Sequence, residues 1–304
     1  MKKILVILTL VATSVLAAEK NIADYLQSIS VTVRSEAGFS RSEGSGVIYR
    51  RDVDGKQVSF IWTAGHVVRN LRKVREVIDP EKGSPRKLIE FGDAKIVREM
   101  RNANGRKVGE VAVDAKIIKY SDAEDGHDLA LMMVRSRDMK AFGTETTKFK
   151  LDDKPVPLGT HLFHVGSLLG QMGSNSMTDG IMSQHGRIFK RTFMDQTTVV
   201  AFPGSSGGGV FLAKDGTWVG MIVRGAGEGF NLTVPARRLV GEFCEKHKIR
   251  WAVDPAIKVT MADINNMAVE DVGIPGPSKG AGDEKLFPIL PRITDLSGNP
   301  INKK

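Results

Sequence analysis

Residues 203–209 read PGSSGGG, a serine-centred turn between two apolar stretches of the chain. Glycine reaches positive φ without a steric penalty, so such a turn can direct its backbone N–H groups towards one point. An acyl-transfer enzyme needs convergent N–H groups to hold the negatively charged oxygen of its tetrahedral intermediate. The Gly204 and Ser206 amides would be those donors, and the Ser206 hydroxyl would face the substrate carbonyl. The turn therefore predicts a nucleophilic serine beside an oxyanion hole.

Two other segments supply the partners that a nucleophilic serine needs. The stretch WTAGHVV at 62–68 ends a predicted strand with His66, and HDLAL at 127–131 places Asp128 at the start of an apolar strand. The histidine would take the serine proton, and the aspartate would hold the imidazole in the tautomer that leaves its other nitrogen free. Asp122 and Asp125 compete with Asp128 for the second role.

The pattern of apolar residues predicts an all-β chain that ends in a helix. Short stretches of alternating or continuous apolar residues are separated by turn signals, Asp-Gly at 54–55, Asn-Gly at 104–105 and Asp-Gly at 215–216. Leu239, Val240 and Phe243 fit one face of a helix that follows Pro235. Two groups of strands joined by a polar linker indicate two barrel-like domains.

These signals divide the chain into five parts. We predict a targeting segment at 1–17, an N-terminal barrel at 18–135 with His66 and Asp128, and a linker at 136–157. A C-terminal barrel at 158–250 contains Ser206 and the closing helix. The proline-rich remainder, 251–304, is predicted to be an extended tail. Leu286–Leu290 could act there as an edge strand for a partner or for self-inhibition, although plain disorder is the alternative.

The N-terminus has the form of an export signal. Lys2 and Lys3 precede an apolar run from Ile4 to Leu16, and small residues lead to a cleavage point after Ala17 or Ala18. The run is short for a membrane span, and no other apolar stretch is long enough for one. We therefore expect a cleaved signal and a periplasmic or secreted protein without a stable membrane span.

The composition excludes several kinds of site. Of the 304 residues, 41% are hydrophobic and 26% are charged, as in a globular protein. The net charge is +9, but no arginine-rich run with interleaved aromatic residues suggests nucleic-acid binding. A single cysteine, Cys244, excludes a cysteine metal cluster. His161 and His164 would point to opposite faces of a strand, so we expect no metal site and no cofactor.

The three motifs together resemble the signatures of the chymotrypsin-like (trypsin-like) serine proteases, T-A-A-H, D-[IL]-A-L and G-[DN]-S-G-G-P. GSGVI at 44–48, TDGIMS at 178–183 and GFNLTVP at 229–235 are similar to the exported bacterial HtrA (Deg) branch. The resemblance implies two six-stranded β-barrels with the catalytic cleft between them. It also implies polypeptide substrates, a triad of His66, Asp128 and Ser206, and an oxyanion hole that contains Gly204.

The same resemblance implies a substrate-binding strand. In the family, the strand that corresponds to Val219–Val223 pairs with the substrate backbone. Val219, Met221, Ile222 and Val223 are therefore predicted to bind substrate. The pocket is predicted to be lined by segments near Thr198–Val200, Ile222–Gly225 and Gly227–Phe230. These segments present no acid, with Glu228 as the one exception, so we expect a small or aliphatic preference.

Three residues depart from the family pattern. Gly65 stands where alanine is usual, and this small replacement is expected to be harmless. Gly209 stands where proline is usual, and Ser205 stands where the digestive enzymes have an acid. The zymogen switch that uses this acid is therefore expected to be absent. The stretch 251–304 is too short for the peptide-binding PDZ domain of the HtrA branch. Gly209 and the expected lack of that domain keep an alternative open, a catalytically latent or inactive binding or scaffold protein on the same fold.

Overall fold

The computed structural model describes residues 21–78, 83–136, 139–225 and 229–271. Within these ranges the strands form two closed barrels of six strands each and a separate two-stranded hairpin. The prediction of two six-stranded barrels is therefore confirmed.

The first barrel is closed in the order β1-β2-β3-β8-β7-β6. All neighbouring strands in it are antiparallel. Its strands are β1 Ser30–Ala37, β2 Ser40–Val53, β3 Lys56–Thr63, β6 Ala94–Arg101, β7 Lys107–Ser121 and β8 Leu129–Val134.

The second barrel is closed in the order β10-β11-β14-β13-β12-β9 and is also antiparallel. Its strands are β9 His161–Leu168, β10 Gly173–Phe189, β11 Thr192–Thr197, β12 Gly209–Leu212, β13 Trp218–Gly225 and β14 Asn231–Pro235.

Helices are short in the described part of the chain. They are α1 Ile22–Ser28, α2 Gly65–Val68, α3 Met261–Asn265, a wide π-helical segment Arg237–Cys244, and 3₁₀ turns at Arg69–Leu71, Lys140–Phe142, Gly170–Met172 and Arg250–Ala252. The segment Arg237–Cys244 is the closing helix that the sequence predicts after Pro235. Across the described ranges, no helix has the length and apolar character needed to cross a membrane.

Tight turns at the expected sequences connect neighbouring strands. Asp54 and Gly55, with φ of 52° and 74°, join β2 to β3. Two successive positive φ values make the turn whose twist matches that of the flanking strands, and an Asp-Gly pair adopts them at little cost. Gly216 has a φ of 70° at the start of the connection to β13.

A shared apolar core joins the barrels to the C-terminal helix. Trp62 from the first barrel and Trp218 from the second are both fully buried in one continuous cluster. Phe243 of the helical segment packs edge-to-face on Trp62, with ring centroids 6.2 Å apart. Each large apolar side chain buried in this way contributes roughly 1.5–3 kcal/mol.

The region after His66 contains more structure than its sequence suggests. Its many basic residues indicate a solvated loop insertion, but β4 Arg72–Ile78 and β5 Pro85–Phe91 pair there as an antiparallel hairpin. Most side chains of this hairpin are exposed. The backbone pairing orders the insertion while its charged side chains stay in water. Because few of its side chains are buried, the apolar pattern of the sequence could not predict these two strands.

Residues 251–271 differ from the predicted extended tail, because they pack against the first barrel. The Trp251 ring lies 5.1 Å from that of Phe60, and the Trp62 indole N–H donates to the Ala252 carbonyl at 3.0 Å. Glu270 forms a parallel bridge with Tyr120 of β7. Apolar side chains of this segment pack on one side of the barrel. Because they are spaced irregularly along the chain, the sequence has no periodic pattern that predicts this contact. The predicted signal at 1–17 and the stretch Leu286–Leu290 lie outside the described residues.

Candidate active site

His66 is placed by an abrupt change from strand to helix. Strand β3 ends at Thr63, and α2 begins at Gly65. A Cβ atom on Gly65 would lie 2.4 Å from the Ser121 carbonyl oxygen, far inside van der Waals contact. The replacement of alanine by Gly65, which the sequence suggested was harmless, is therefore required by this close approach.

Asp128 directs its carboxylate at His66 from the turn before β8. Its φ of 56° is in the left-handed region, where aspartate is more frequent than most residues. The carboxylate accepts a hydrogen bond from the His66 backbone N–H at 2.9 Å, and both of its oxygens lie 3.0 Å from His66 Nδ1. This contact fixes the ring when Nδ1 carries the proton and leaves Nε2 free to accept one.

The Asp128 carboxylate remains ionised although it is almost completely buried. Burial by itself raises the pKa of this group. The hydrogen bonds and charge of His66, together with the charge of Arg224, outweigh that effect and hold the Asp128 pKa below its usual value. The negative charge is thus available to stabilise an imidazolium.

The two competing aspartates do not contact His66. The Asp122 carboxylate accepts hydrogen bonds from the Tyr120 hydroxyl at 2.9 Å and from the Glu124 amide at 2.7 Å. The side chain of Asp125 is exposed. Of the three candidates, Asp128 is the one that faces the imidazole.

Ser206 lies in a turn where neighbouring positions require glycine for steric reasons. Gly204 and Gly207 have φ values of 96° and 87°. A Cβ on Gly204 would lie 2.2 Å from the Ser167 carbonyl oxygen, and one on Gly207 would lie 2.1 Å from that of Ser45. Only glycine can therefore hold this loop against the strands behind it.

The turn is further fixed by its own hydrogen bonds. The Gly207 N–H donates to the Ile222 carbonyl at 2.8 Å, and the Gly208 N–H donates to that of Ser205 at 2.9 Å. The buried Ser205 hydroxyl accepts from the Phe202 N–H at 3.1 Å. Ser205 thus stabilises the turn internally at the position where the digestive enzymes have an acid. Gly209 is also tightly packed, since a Cβ there would lie 2.3 Å from the Phe211 ring.

The two predicted oxyanion donors are unengaged. Within the described ranges, neither the Gly204 nor the Ser206 N–H has an acceptor. The Ser206 hydroxyl likewise makes no hydrogen bond to a described residue, and its side chain shares one cleft with His66. Serine–histidine hydrogen bonds of this kind frequently tighten only when substrate binds.

The cleft has a volume of about 570 Å³, within the usual range for ligand sites. All four predicted substrate-binding residues have almost fully buried side chains, but Ile222 and Val223 also line the cleft, whereas Val219 and Met221 do not. A register shift between Ile222 and Arg224 breaks the alternation of β13. The lining is mainly apolar and consists of His66, Val200, Ala201, Phe202, Pro203, Ser206, Ile222, Val223, Arg224, Gly225, Gly229 and Asn231.

Arg224 lies in the predicted pocket segment Ile222–Gly225, but the sequence did not indicate its contact with the triad. Its Nη1 atom lies 3.1 Å from an Asp128 carboxylate oxygen and 3.1 Å from His66 Nδ1. The same atom donates to the Val223 carbonyl at 2.9 Å. An arginine at the end of an apolar strand is usually a solvated edge residue, so the sequence held no signal for this contact.

Arg238 is a second unpredicted residue, fully buried beneath Asp128. It donates to the carbonyls of His127 and Phe193, both at 2.6 Å. Burial lowers the Arg238 pKa to about 10, partly offset by the charge of Asp128, so the side chain remains a cation at neutral pH. It anchors the peptide that leads into Asp128.

The remaining histidines do not converge on a site. His164 is fully buried, with its Nδ1 at 2.9 Å from the Gly209 carbonyl oxygen, and the exposed His161 contacts Asp179 at 3.1 Å. His127 packs on Phe243, and burial lowers its pKa to about 4. In the part of the chain that the structure describes, no cluster of three His, Cys, Asp or Glu residues could hold a metal ion.

Comparison of the sequence with known protein families identifies a matching family. The family model described as a trypsin-like peptidase domain matches residues 44–221. None of the curated proteins matches the chain in sequence.

Many solved structures share its fold, among them two proteases. The HtrA-type protease AlgW, in a structure with a tripeptide, has a TM-score of 0.51 at 16% identity, over 75% of this chain and 62% of that one. The serine endoprotease from Yersinia pestis also has a TM-score of 0.51, at 20% identity, over 75% of this chain and 65% of that one. The present chain thus matches less than two thirds of the length of either.

Proposed function

The chain belongs to the trypsin-like peptidase family, and from this premise we propose that it is an exported serine endopeptidase that hydrolyses peptide bonds through an acyl-enzyme. The observation that carries the proposal is the His66–Asp128 contact, with Nδ1 at 3.0 Å from both carboxylate oxygens, in the cleft that Ser206 also lines.

In the proposed acylation step, the Ser206 oxygen attacks the scissile carbonyl carbon while His66 Nε2 takes the hydroxyl proton. The Asp128 carboxylate holds the ring and stabilises the imidazolium that forms. The Gly204 and Ser206 N–H groups, which have no acceptor in the described chain, would donate to the carbonyl oxygen as it becomes negative. The imidazolium then protonates the leaving amine as the acyl-enzyme forms.

Deacylation follows the same order of proton transfer and attack, with water as the nucleophile. His66 removes a proton from water, which attacks the Ser206 ester, and the proton returns to the serine oxygen as the new carboxylic acid leaves. The backbone N–H and carbonyl of Ile222 are already bonded to the nucleophile turn, so the edge of the cleft that begins at Val223 would accept the substrate backbone as an added strand. The apolar lining supports a small or aliphatic side chain before the cut.

The proposed export depends on the N-terminal sequence alone. A basic pair followed by the apolar run Ile4–Leu16 and small residues supports secretion to the periplasm or the medium. Sequencing of the mature protein from cell fractions would test it. A start at residue 18 or 19 in the exported fraction is expected, and an uncleaved cytoplasmic product would contradict the proposal.

One experiment separates the enzyme from a latent binding protein, the second candidate. The absence of a Ser206–His66 hydrogen bond and the contact of Arg224 with the triad favour that second candidate. A fluorophosphonate probe reacts with an activated serine, so labelling of the wild type but not of Ser206→Ala, together with cleavage of casein by the wild type alone, is expected. Folded protein that neither labels nor cleaves would support the binding protein.

A further inference from the structure

The contact between Arg224 and the triad is unfavourable for general-base chemistry in either assignment of the imidazole proton. If Nδ1 carries the proton, it donates to Asp128, and Arg224 Nη1 then places a second donor and a full positive charge 3.1 Å away. If Nδ1 instead accepts from Arg224, the proton lies on Nε2, which can no longer receive one from Ser206.

The imidazolium formed during attack would meet the same positive charge. Arg224 and a protonated His66 would share the Asp128 carboxylate, and their repulsion acts in a partly buried site where charges are weakly screened. A full catalytic rate therefore requires the guanidinium to move away from Asp128 when the proton is transferred.

The rest of the structure permits that movement. Arg224 uses only Nη1 in its hydrogen bonds to described residues, and its guanidinium lies over the Phe189 ring at 5.7 Å. Its side chain is 27% exposed and lines the cleft. Asp128 would keep its bonds from His66 and the nearby positive charge of buried Arg238.

The charge of the cleft indicates what would draw Arg224 away. No carboxylate occurs among the described lining residues, Glu228 lies outside the described part of the chain, and the Asp128 side chain behind His66 is only 3% exposed. A substrate entering the cleft therefore meets the outward donors of a guanidinium. A carboxylate on that substrate can form two parallel charge-assisted hydrogen bonds with them, a stronger arrangement than the single Nη1 contact with Asp128.

From these observations we propose that Arg224 makes the enzyme selective for peptides with an acidic side chain close to the scissile bond, because that carboxylate pulls the guanidinium off Asp128 and releases the triad. The inference rests on the proposed function. In it Arg224 is a specificity residue with two effects, recognition of acidic substrates and restraint of the enzyme towards neutral ones.

The test uses paired peptides that keep a small aliphatic residue directly before the cut and differ only in Glu or Gln at one of the three positions before that residue. With the wild type, kcat/KM for the Glu peptide at one position should exceed that for its Gln partner by about tenfold or more. In Arg224→Met the two peptides should be cleaved at similar rates, and the Gln peptide should be cleaved faster than by the wild type. Arg224→Gln should behave in the same way.

A matched control is Arg187→Met, which removes a cation of the same barrel that lies over Phe230 and contacts neither Asp128 nor His66. This variant should keep the Glu preference. Equal cleavage of Glu and Gln peptides by the wild type at all three positions, or slower cleavage of the Gln peptide by Arg224→Met, would overturn the inference.

Labelling separates the inference from the proposed function. An uncharged fluorophosphonate should modify Ser206 faster in Arg224→Met than in the wild type, because no carboxylate is needed for release. Equal or slower labelling of the variant overturns the role of Arg224 while leaving the peptidase intact. Absence of labelling in both proteins, with folding verified by circular dichroism, overturns the proposed function and this inference together.

Discussion

The backbone N–H of Ser45 in the first barrel donates to the carbonyl of Ser206 in the second, with a separation of 2.7 Å. The Ser45 hydroxyl also donates to the Gly204 carbonyl and accepts from the Ser167 N–H, both at 2.7 Å. One buried serine of β2 in the first barrel thus holds the nucleophile turn of the second barrel by direct hydrogen bonds. The geometry of the proposed oxyanion hole depends on the docking of the two barrels.

Substitution Ser45→Ala tests this link. Loss of the hydroxyl leaves the Gly204 carbonyl and the Ser167 N–H without this hydrogen-bond partner. Each buried polar group left without a hydrogen bond lowers the free energy of unfolding by about 1–3 kcal/mol. We expect the free energy of unfolding in urea to fall by that order and kcat to fall while KM changes little. Ser40→Ala, at the exposed start of the same strand, is the control and should match the wild type in both measurements.

Gly65→Ala should damage the site although alanine is usual in the family. The new methyl would overlap the Ser121 carbonyl oxygen at 2.4 Å, so α2 and His66 must shift. Overpacking of this kind costs about 1–3 kcal/mol, and a displaced base lowers kcat. Thermal unfolding and peptide hydrolysis measure the two effects.

The control for this change is Gly241→Ala, in the helical segment Arg237–Cys244. A Cβ there has open space around it, so the variant should be as active as the wild type and equally or slightly more stable. Wild-type stability and activity in Gly65→Ala would show that the strand-to-helix turn relaxes without moving His66.

The barrels and the candidate triad were accessible from sequence because each has a local signature. The turn at Asp54-Gly55 requires two positive φ values, and the Asp-Gly pair in the sequence indicates them. The glycines around Ser206 make close contacts that no other residue allows. The motifs of His66 and Asp128 lie at strand ends, where the change from apolar to polar residues is visible.

Features that depend on contacts distant in sequence were not accessible. The approach of Arg224 to Asp128 depends on how a register shift in β13 turns one side chain across the cleft. The burial of Met221 follows from the same strand geometry. The packing of Trp251 on Phe60 joins segments far apart in the chain, and no periodic pattern records it.

Trp251→Ala tests whether residues 251–271 are part of the folded unit. The indole is 5% exposed and contacts Phe60, and a buried aromatic truncated to alanine costs about 3–5 kcal/mol. We expect a loss of that size in the free energy of unfolding. Ile257→Ala is the control, because its exposed side chain should contribute little. Equal stability of the two variants would mean that the segment does not support the barrel.

Mild acid should destabilise the protein through its buried histidines. Burial lowers the pKa of His164 to about 4, only partly offset by its hydrogen bond to Gly209, while the unfolded chain binds the proton near the ordinary value of about 6.5. The unfolded state therefore binds more protons as the pH falls through this window. The contribution of neutral His164 is present above about pH 6.5 and is lost as the pH falls towards 4. From this residue alone, the free energy of unfolding should fall by about 2 kcal/mol between pH 7 and pH 5.

The slope with pH, and not the stability at one pH, is the diagnostic measurement for His164. Urea unfolding of His164→Asn between pH 7 and pH 5 should show a shallower decline than the wild type, because asparagine binds no proton in either state. Parallel pH profiles for the wild type and His164→Asn would mean that His164 takes up its proton in the folded protein as readily as in the unfolded chain. The buried ring beneath the nucleophile turn would then be hydrated rather than sealed by the barrel.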